Sequence, residues 1–103
     1  MSDEDALELA AKGAGHRTFD FDAEGNILID PFVYTPWNPL RDNNDAFQLA
    51  RQMDMSLHYG PKVLLVSEPA GACSYTIDID GPDIMSYTRK AIVYLAAVVG
   101  ECL

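Results

Sequence analysis

Trp37-Asn38-Pro39-Leu40-Arg41-Asp42-Asn43-Asn44-Asp45-Ala46-Phe47-Gln48-Leu49-Ala50-Arg51-Gln52-Met53 is the stretch on which the reading of the fold turns. It holds the only tryptophan, a proline-bearing polar loop, and the cleanest helix start in the chain. Asn43 or Asn44 can cap the helix, and Asp45 puts a carboxylate where the helix dipole favours one. Ala46, Leu49, Ala50 and Met53 then fall at i, i+3, i+4 and i+7, with Phe47 widening the apolar face. A helix with one apolar face has to be covered, so the flanking segments must supply a sheet or further helices.

Toward the N-terminus, Ser2 precedes Asp3, Glu4 and Asp5, an N-cap followed by carboxylates in a first helical turn. Leu7, Ala10, Ala11 and Ala14 form a narrow apolar stripe. Gly13 and Gly15 end the helix, Gly15 as the C′ residue. Its small side chains predict packing on the rim. From Arg17 to Val33 the period changes to two. Thr18-Phe19-Asp20-Phe21-Asp22 alternates, Ala23-Glu24-Gly25-Asn26 turns, and Ile27-Leu28-Ile29 returns, which predicts a hairpin. Pro31 and Pro36 bracket a loop with Phe32, Tyr34 and Trp37 that is expected to lie over the core.

Toward the C-terminus, Ser56-Leu57-His58-Tyr59 reads as a strand turning at Gly60-Pro61. Lys62 to Ser67 reads as a buried strand, Glu68-Pro69-Ala70-Gly71 as a turn, and Cys73 to Ile79 as another alternating strand. Asp80-Gly81-Pro82-Asp83 opens the last helix, with Pro82 near N1. From Ile84 to Val99 that helix is apolar over more than one face, and Gly100 ends it. Burying six of its large side chains contributes on the order of 10 kcal/mol before entropy. The expected order is α-β-β-α-β-β-β-α, a single α+β domain over residues 1–103. Three helices are expected on both faces of a central antiparallel sheet of four or five strands, an α-β-α sandwich.

A chain of 103 residues has room for one core. Sixteen acids against seven bases give a net charge of −9, which argues against direct nucleic-acid binding and favours basic partners. The acidic start is unlike a secretory leader, and the apolar run Ala91 to Val99 is too short to span a bilayer. Cys73 and Cys102 form no metal-ligand spacing with His16 or His58 and read as reduced thiols. These features predict a soluble, cytosolic protein without a cofactor.

The motif Trp37-Asn38-Pro39-Leu40, the Asp42 to Asp45 cap, Ala46-x-x-Leu49-Ala50 and the closing Tyr87-Thr88-Arg89-Lys90-Ala91-Ile92-Val93 resemble the small bacteriophage proteins of the phage ABA sandwich group, which is related to the family called NinX. The resemblance covers most of the chain from Trp37 on and does not extend to Arg17–Tyr34. It implies an α-β-α sandwich and a phage protein working in the host cytoplasm, and it implies no established activity.

Two constellations carry chemistry worth weighing. Asp20-x-Asp22-x-Glu24-Gly25 looks like the front of a calcium loop, but its twelfth position is Pro31 where a bidentate Glu belongs. A plain hairpin turn explains the same residues without metal. Trp37, Arg41, Asn43 and Asn44 stand at a helix N-terminus, where free N–H groups, a guanidinium fork and an indole could hold a nucleotide-like anion, with Arg89 adding charge. The alternative is structural: a core indole, a cap, and a locally paired arginine. No nucleophile, base or paired-carboxylate arrangement emerges, so a non-enzymatic protein is expected. The first expectation is counter-defence by sequestering a nucleotide-type signal. The second is an acidic inhibitor that occupies a basic groove of a host defence protein. The surplus of apolar positions on the last helix also predicts a homo-oligomer formed through it.

Overall fold

The computed structural model describes residues 2–16, 18–29, 35–69 and 73–102, with the backbone alone at 18–20 and 35. Arg17, Pro31, Phe32, Tyr34 and the Ala70-Gly71 part of the expected turn lie outside the described residues. Three helices are present: α1 (Asp3–Gly13), α2 (Asn43–Gln52) and α3 (Ile84–Glu101). The strands are β1 (Thr18–Phe21), β2 (Ile27–Ile29), β3 (Thr35–Trp37), β4 (Ser56–Tyr59), β5 (Val63–Ser67) and β6 (Ser74–Asp78).

The fold is α+β with three helices, but the expected central sheet of four or five strands is corrected to two separate antiparallel sheets, ordered β1-β2-β3 and β4-β5-β6. β3 falls where a loop is expected from the sequence. Pro36 sits in it opposite Leu28, and a proline is admissible there because β3 is an edge strand. The first sheet is short, and its β1–β2 register shifts between Thr18 and Phe21.

α3 joins the two halves. Its Ala91 and Leu95 pack with Leu64 and Val66 of β5. Its Ile92, Val93, Ala96 and Ala97 enter a second cluster with α1, α2, Ile27, Ile29 and Trp37. Of the apolar positions of α3, Ala91, Ile92, Val93, Leu95 and Ala96 are thus buried within the chain, while Ile84 is exposed and Tyr87, Tyr94, Val98 and Val99 are partly so. No helix among the described residues is long and apolar enough to cross a membrane.

The rim position expected for α1 is also corrected, because α1 and α3 form the most extensive contact between elements. Small residues bring the two backbones together. A Cβ on Gly13 would lie 2.5 Å from the Ala96 carbonyl oxygen, and one on Gly100 would run into that of Leu9. Gly100 therefore does not end α3, which continues to Glu101.

Local chemistry sets the helix ends. Ser2 caps α1 by accepting from the Asp5 N–H. After Ala14, Gly15 takes φ +83°, and the N–H groups of Gly15 and His16 return to Lys12 and Ala11. That is a Schellman ending. It delivers the His16 ring to the Trp37 indole, centroid to centroid 5.5 Å. α3 is capped by Asp83, which accepts from Ser86, so Pro82 lies one residue before the cap and not at N1.

Candidate functional site

The loop from Asn38 to Asp42 is where the first hairpin, α2 and α3 meet, and Asn38 is its centre. The side chain is buried, 6% exposed. Its Nδ2 donates to Asn26 Oδ1 (3.1 Å) and to the Gly25 carbonyl (3.5 Å), while its Oδ1 accepts from the Leu40 N–H (3.2 Å). The Asn38 N–H donates to Asp45 Oδ2 at 3.0 Å. One amide thus ties the hairpin turn to the start of α2. In the sequence Asn38 stands out only as part of the Trp37–Leu40 motif, because its side-chain partners Asn26 and Gly25 lie 12 and 13 positions back in the chain.

The residues of the expected anion site do not form an open pocket together. Trp37 is buried, 6% exposed, with its edge contact on His16, so it offers no open face on which a base could stack. Asp42, and not Asn43 or Asn44, caps α2 by accepting from the Asp45 N–H at 3.0 Å. Asn44 is exposed on the first turn. Asn43 Oδ1 instead accepts from Arg89 Nη1 (2.6 Å), whose Nε donates to the Leu40 carbonyl (3.0 Å). Arg41 Nη1 donates to the Glu24 carbonyl at 3.2 Å. Both guanidiniums are thereby engaged as clamps on carbonyl oxygens. Of the five residues, Arg41 alone lines the clefts at this end, one of ≈ 380 Å³ shared with Asp3, Glu4 and Lys90 and one of ≈ 260 Å³ shared with Asp42 and Asp45. Carboxylates oppose an anion in both.

These contacts rank the two arginines. Replacing Arg89 with Ala strands the part-buried Leu40 carbonyl and leaves the exposed Asn43 amide to water, and is expected to cost about 1–3 kcal/mol. Replacing the exposed Arg41 is expected to stay within about 0.5 kcal/mol. Thermal melts of the two variants side by side check the order; equal loss would contradict it.

The acidic hairpin is a turn. Asp22 Oδ1 accepts from the Glu24 and Asn26 N–H groups, both at 2.9 Å, and Oδ2 accepts from Asn26 Nδ2 at 3.1 Å. Desolvation pushes the Asp22 carboxyl up, but those bonds outweigh it and hold it below the ordinary carboxylate value. Gly25 takes φ +86°, which the turn requires. Glu24 is exposed, its carbonyl held by Arg41, and the side chain of Asp20 lies outside the described residues. Among the described residues no group of three or more His, Cys, Asp or Glu is placed to hold a metal ion.

Burial lowers the His16 pKa, which favours the neutral ring. Burial pushes the Cys73 thiol up, and the neighbouring Cys102 and Glu68 add to this, so the nucleophilic thiolate is disfavoured. In Asp45, desolvation raises the carboxyl against the Asn38 N–H bond that lowers it, and nearby Asp42 raises it further.

A further opening, which the sequence expectations do not include, lies at the N-terminal end of α3. A cleft of ≈ 560 Å³ runs between β6 and the first turns of α3, lined among others by Thr76, Asp78, Asp80, Asp83, Tyr87 and Lys90. Tyr87 donates to Asp80 Oδ1 at 2.6 Å, and Lys90 Nζ sits 5.6 Å from the Tyr94 ring centroid. Three carboxylates face one ammonium. The signal was available in the sequence as Asp78-x-Asp80-x-x-Asp83, but it read as a strand end and a helix cap. No protein-family profile, curated protein or solved structure matches the chain.

Proposed function

We propose that this protein is a non-enzymatic bacteriophage accessory protein that acts in the infected host by binding a basic protein, with a host defence factor as its target. The carrying observation is how the charges are disposed. Arg41 and Arg89 spend their hydrogen bonds on carbonyl oxygens of the fold. Asp3, Glu4, Asp5, Glu8, Asp78, Asp80 and Asp83 are all exposed. A net charge of −9 over such a surface attracts a basic partner and speeds its encounter. The resemblance of the Trp37–Leu40 and Tyr87–Val93 motifs to small phage proteins supports the setting.

The nucleotide-sequestering version ranks second. It would need an open indole and a free guanidinium fork, and Trp37 is buried while Arg89 is engaged.

The test is capture from bacterial lysate by the wild type and by a variant with Asp3, Glu4, Glu8 and Asp78 changed to their amides. A basic protein retained by the wild type, lost by the variant and released by about 0.5 M salt, where the Debye length has shrunk to a few ångströms, is the expected result. Capture indifferent to both charge removal and salt would overturn the proposal. Calorimetry against cyclic nucleotides and ADP-ribose derivatives is expected to give no binding heat, and a saturable signal there would restore the second reading.

A further inference from the structure

β6 is the outer strand of the second sheet, hydrogen-bonded to β5 alone among the described strands. The pairing shows which of its backbone groups are free. Residues 63 to 67 of β5 pair with 78 to 74 of β6, and the Ile79 N–H to Lys62 carbonyl bond and the Glu68 N–H to Cys73 carbonyl bond mark the hydrogen-bonded pairs at each end. In an antiparallel ladder such pairs alternate. Tyr75 and Ile77 therefore direct their N–H and C=O toward β5, and Ser74, Thr76 and Asp78 direct theirs outward. The free edge runs beside the ≈ 560 Å³ cleft whose opposite wall is the Asp83, Ser86, Tyr87 and Lys90 stripe of α3.

We infer that this cleft takes an extended, lysine- or arginine-bearing peptide segment, which adds to β6 as a further antiparallel strand and lays alternate side chains between β6 and α3. This rests on the reading of the protein as a binder of a basic partner and names the surface it would use. The edge supplies backbone donors and acceptors at a two-residue repeat, which is what strand addition needs. Five residues of β6 span about 17 Å, room for a segment of about five residues. The charge decides the class of occupant. Asp78, Asp80 and Asp83 oppose acidic side chains and favour basic ones, three carboxylates against the single ammonium of Lys90, which also sits near the Tyr94 ring. The bond from Tyr87 to Asp80 fixes an aromatic wall along which aliphatic lysine or arginine stems can lie. The same acids work against a second copy of this chain, since each copy carries a net −9.

The test uses the full-length chain, labelled with ¹⁵N, and an acetylated heptapeptide of alternating lysine and valine, with the glutamate–valine counterpart as control. On titration the amides of Ser74, Thr76 and Asp78 are expected to shift and to gain protection from hydrogen exchange. The glutamate peptide is expected not to bind. Thr76→Pro removes one outward N–H and obstructs the edge without touching a β5 bond, and is expected to weaken lysine-peptide binding by about tenfold or more. Asp78→Lys is expected to weaken it comparably and to flatten its salt dependence. If Thr76→Pro does not fold, the exchange protection in the wild type decides alone. Charge-dependent binding whose shifts and protection fall away from β6 would overturn the strand addition while leaving the acidic-binder reading intact. No charge-dependent binding of the lysine peptide, together with charge-independent lysate capture, would remove both. Edge amides that shift with protein concentration in the absence of peptide would assign the edge to a second copy and overturn the inference.

Discussion

Gly100→Ala is expected to lower the melting temperature by about 10–20 °C, the shift that a loss of about 2–3 kcal/mol produces in a domain of this size. The sign itself is diagnostic. In an exposed helix interior, Ala is favoured over Gly by about 1 kcal/mol, so a loosely packed α3 terminus would gain stability from the change. Here the added methyl meets the Leu9 carbonyl of α1, backbone that cannot swing aside. The helices must separate, and Ala10, Ala96 and Ala97, all fully buried, lose contact with them. Gly13→Ala meets the Ala96 carbonyl from the other side at 2.5 Å and is expected to behave alike. The double variant should cost less than the sum, because one separation relieves both clashes. Gly15→Ala is the control: it has open space but φ +83°, and should cost about 1–2 kcal/mol from the backbone alone. Circular dichroism melts and urea midpoints measure all four. A Gly100→Ala protein as stable as the parent would refute the close packing.

That interface also marks where sequence reading stopped. The stripe of Leu7, Ala10, Ala11 and Ala14 was legible as a helix face, but small side chains read equally well as a thin rim or as the means of close backbone approach. Only the partner helix distinguishes them. Gly13 and Gly100 carry the usual signal of a helix end, and in both cases the reason for glycine is a segment far away in the chain, at Ala96 and at Leu9. β5 was legible as an apolar run, but the expected buried strand is corrected to a half-buried one, with Leu64 and Val66 inward and Val63 and Leu65 outward, and β6 was legible from its alternation. β3 was not, since three residues with a central proline carry no period. Nor was the division into two sheets, because which strands pair is decided across the chain and leaves no local pattern.

At the candidate site the same division holds. Caps are local, so the expected cap at Asn43 or Asn44 falls within two residues of the observed one, Asp42. Asp42, Asn43 and Asn44 are all competent caps, and the choice of Asp42 follows from its extended backbone (φ −110°, ψ 118°) after the turn that begins at Asn38. Trp37 could have stacked a ligand or filled the core, and its burial against His16 settles it as core. The guanidiniums looked free because carbonyl partners have no sequence signature.

Asn38→Asp, a near-isosteric change, is expected to be more damaging than Asn38→Ala. Alanine removes the bonds to Asn26, Gly25 and Leu40 and leaves buried groups unpaired, a loss of about 2–3 kcal/mol. A carboxylate keeps the Leu40 acceptor but turns its other oxygen toward Asn26 Oδ1 and the Gly25 carbonyl, so two acceptors lose their donor and gain a repelling charge. That charge is also buried, with the Asp45 carboxylate bound to the N–H of the same residue. An uncompensated buried charge costs about 3–5 kcal/mol, most of the stability of a domain this small. The pH dependence fixes the cause. Burial and neighbouring carboxylates raise the introduced carboxyl above its unfolded value of about 4, so the folded variant holds its proton over a pH range in which the unfolded chain has lost it. Stability of the variant relative to wild type should therefore fall as pH rises from about 4 through that raised value and level off above it. Protonated, the carboxyl regains one donor for Asn26, so in acid the variant should approach the alanine variant or surpass it. Urea unfolding of wild type, Asn38→Ala and Asn38→Asp at pH 4.5 and 7.5 measures both effects. An aspartate variant that matches wild type at pH 7.5 would mean that this amide does not hold the hairpin to α2.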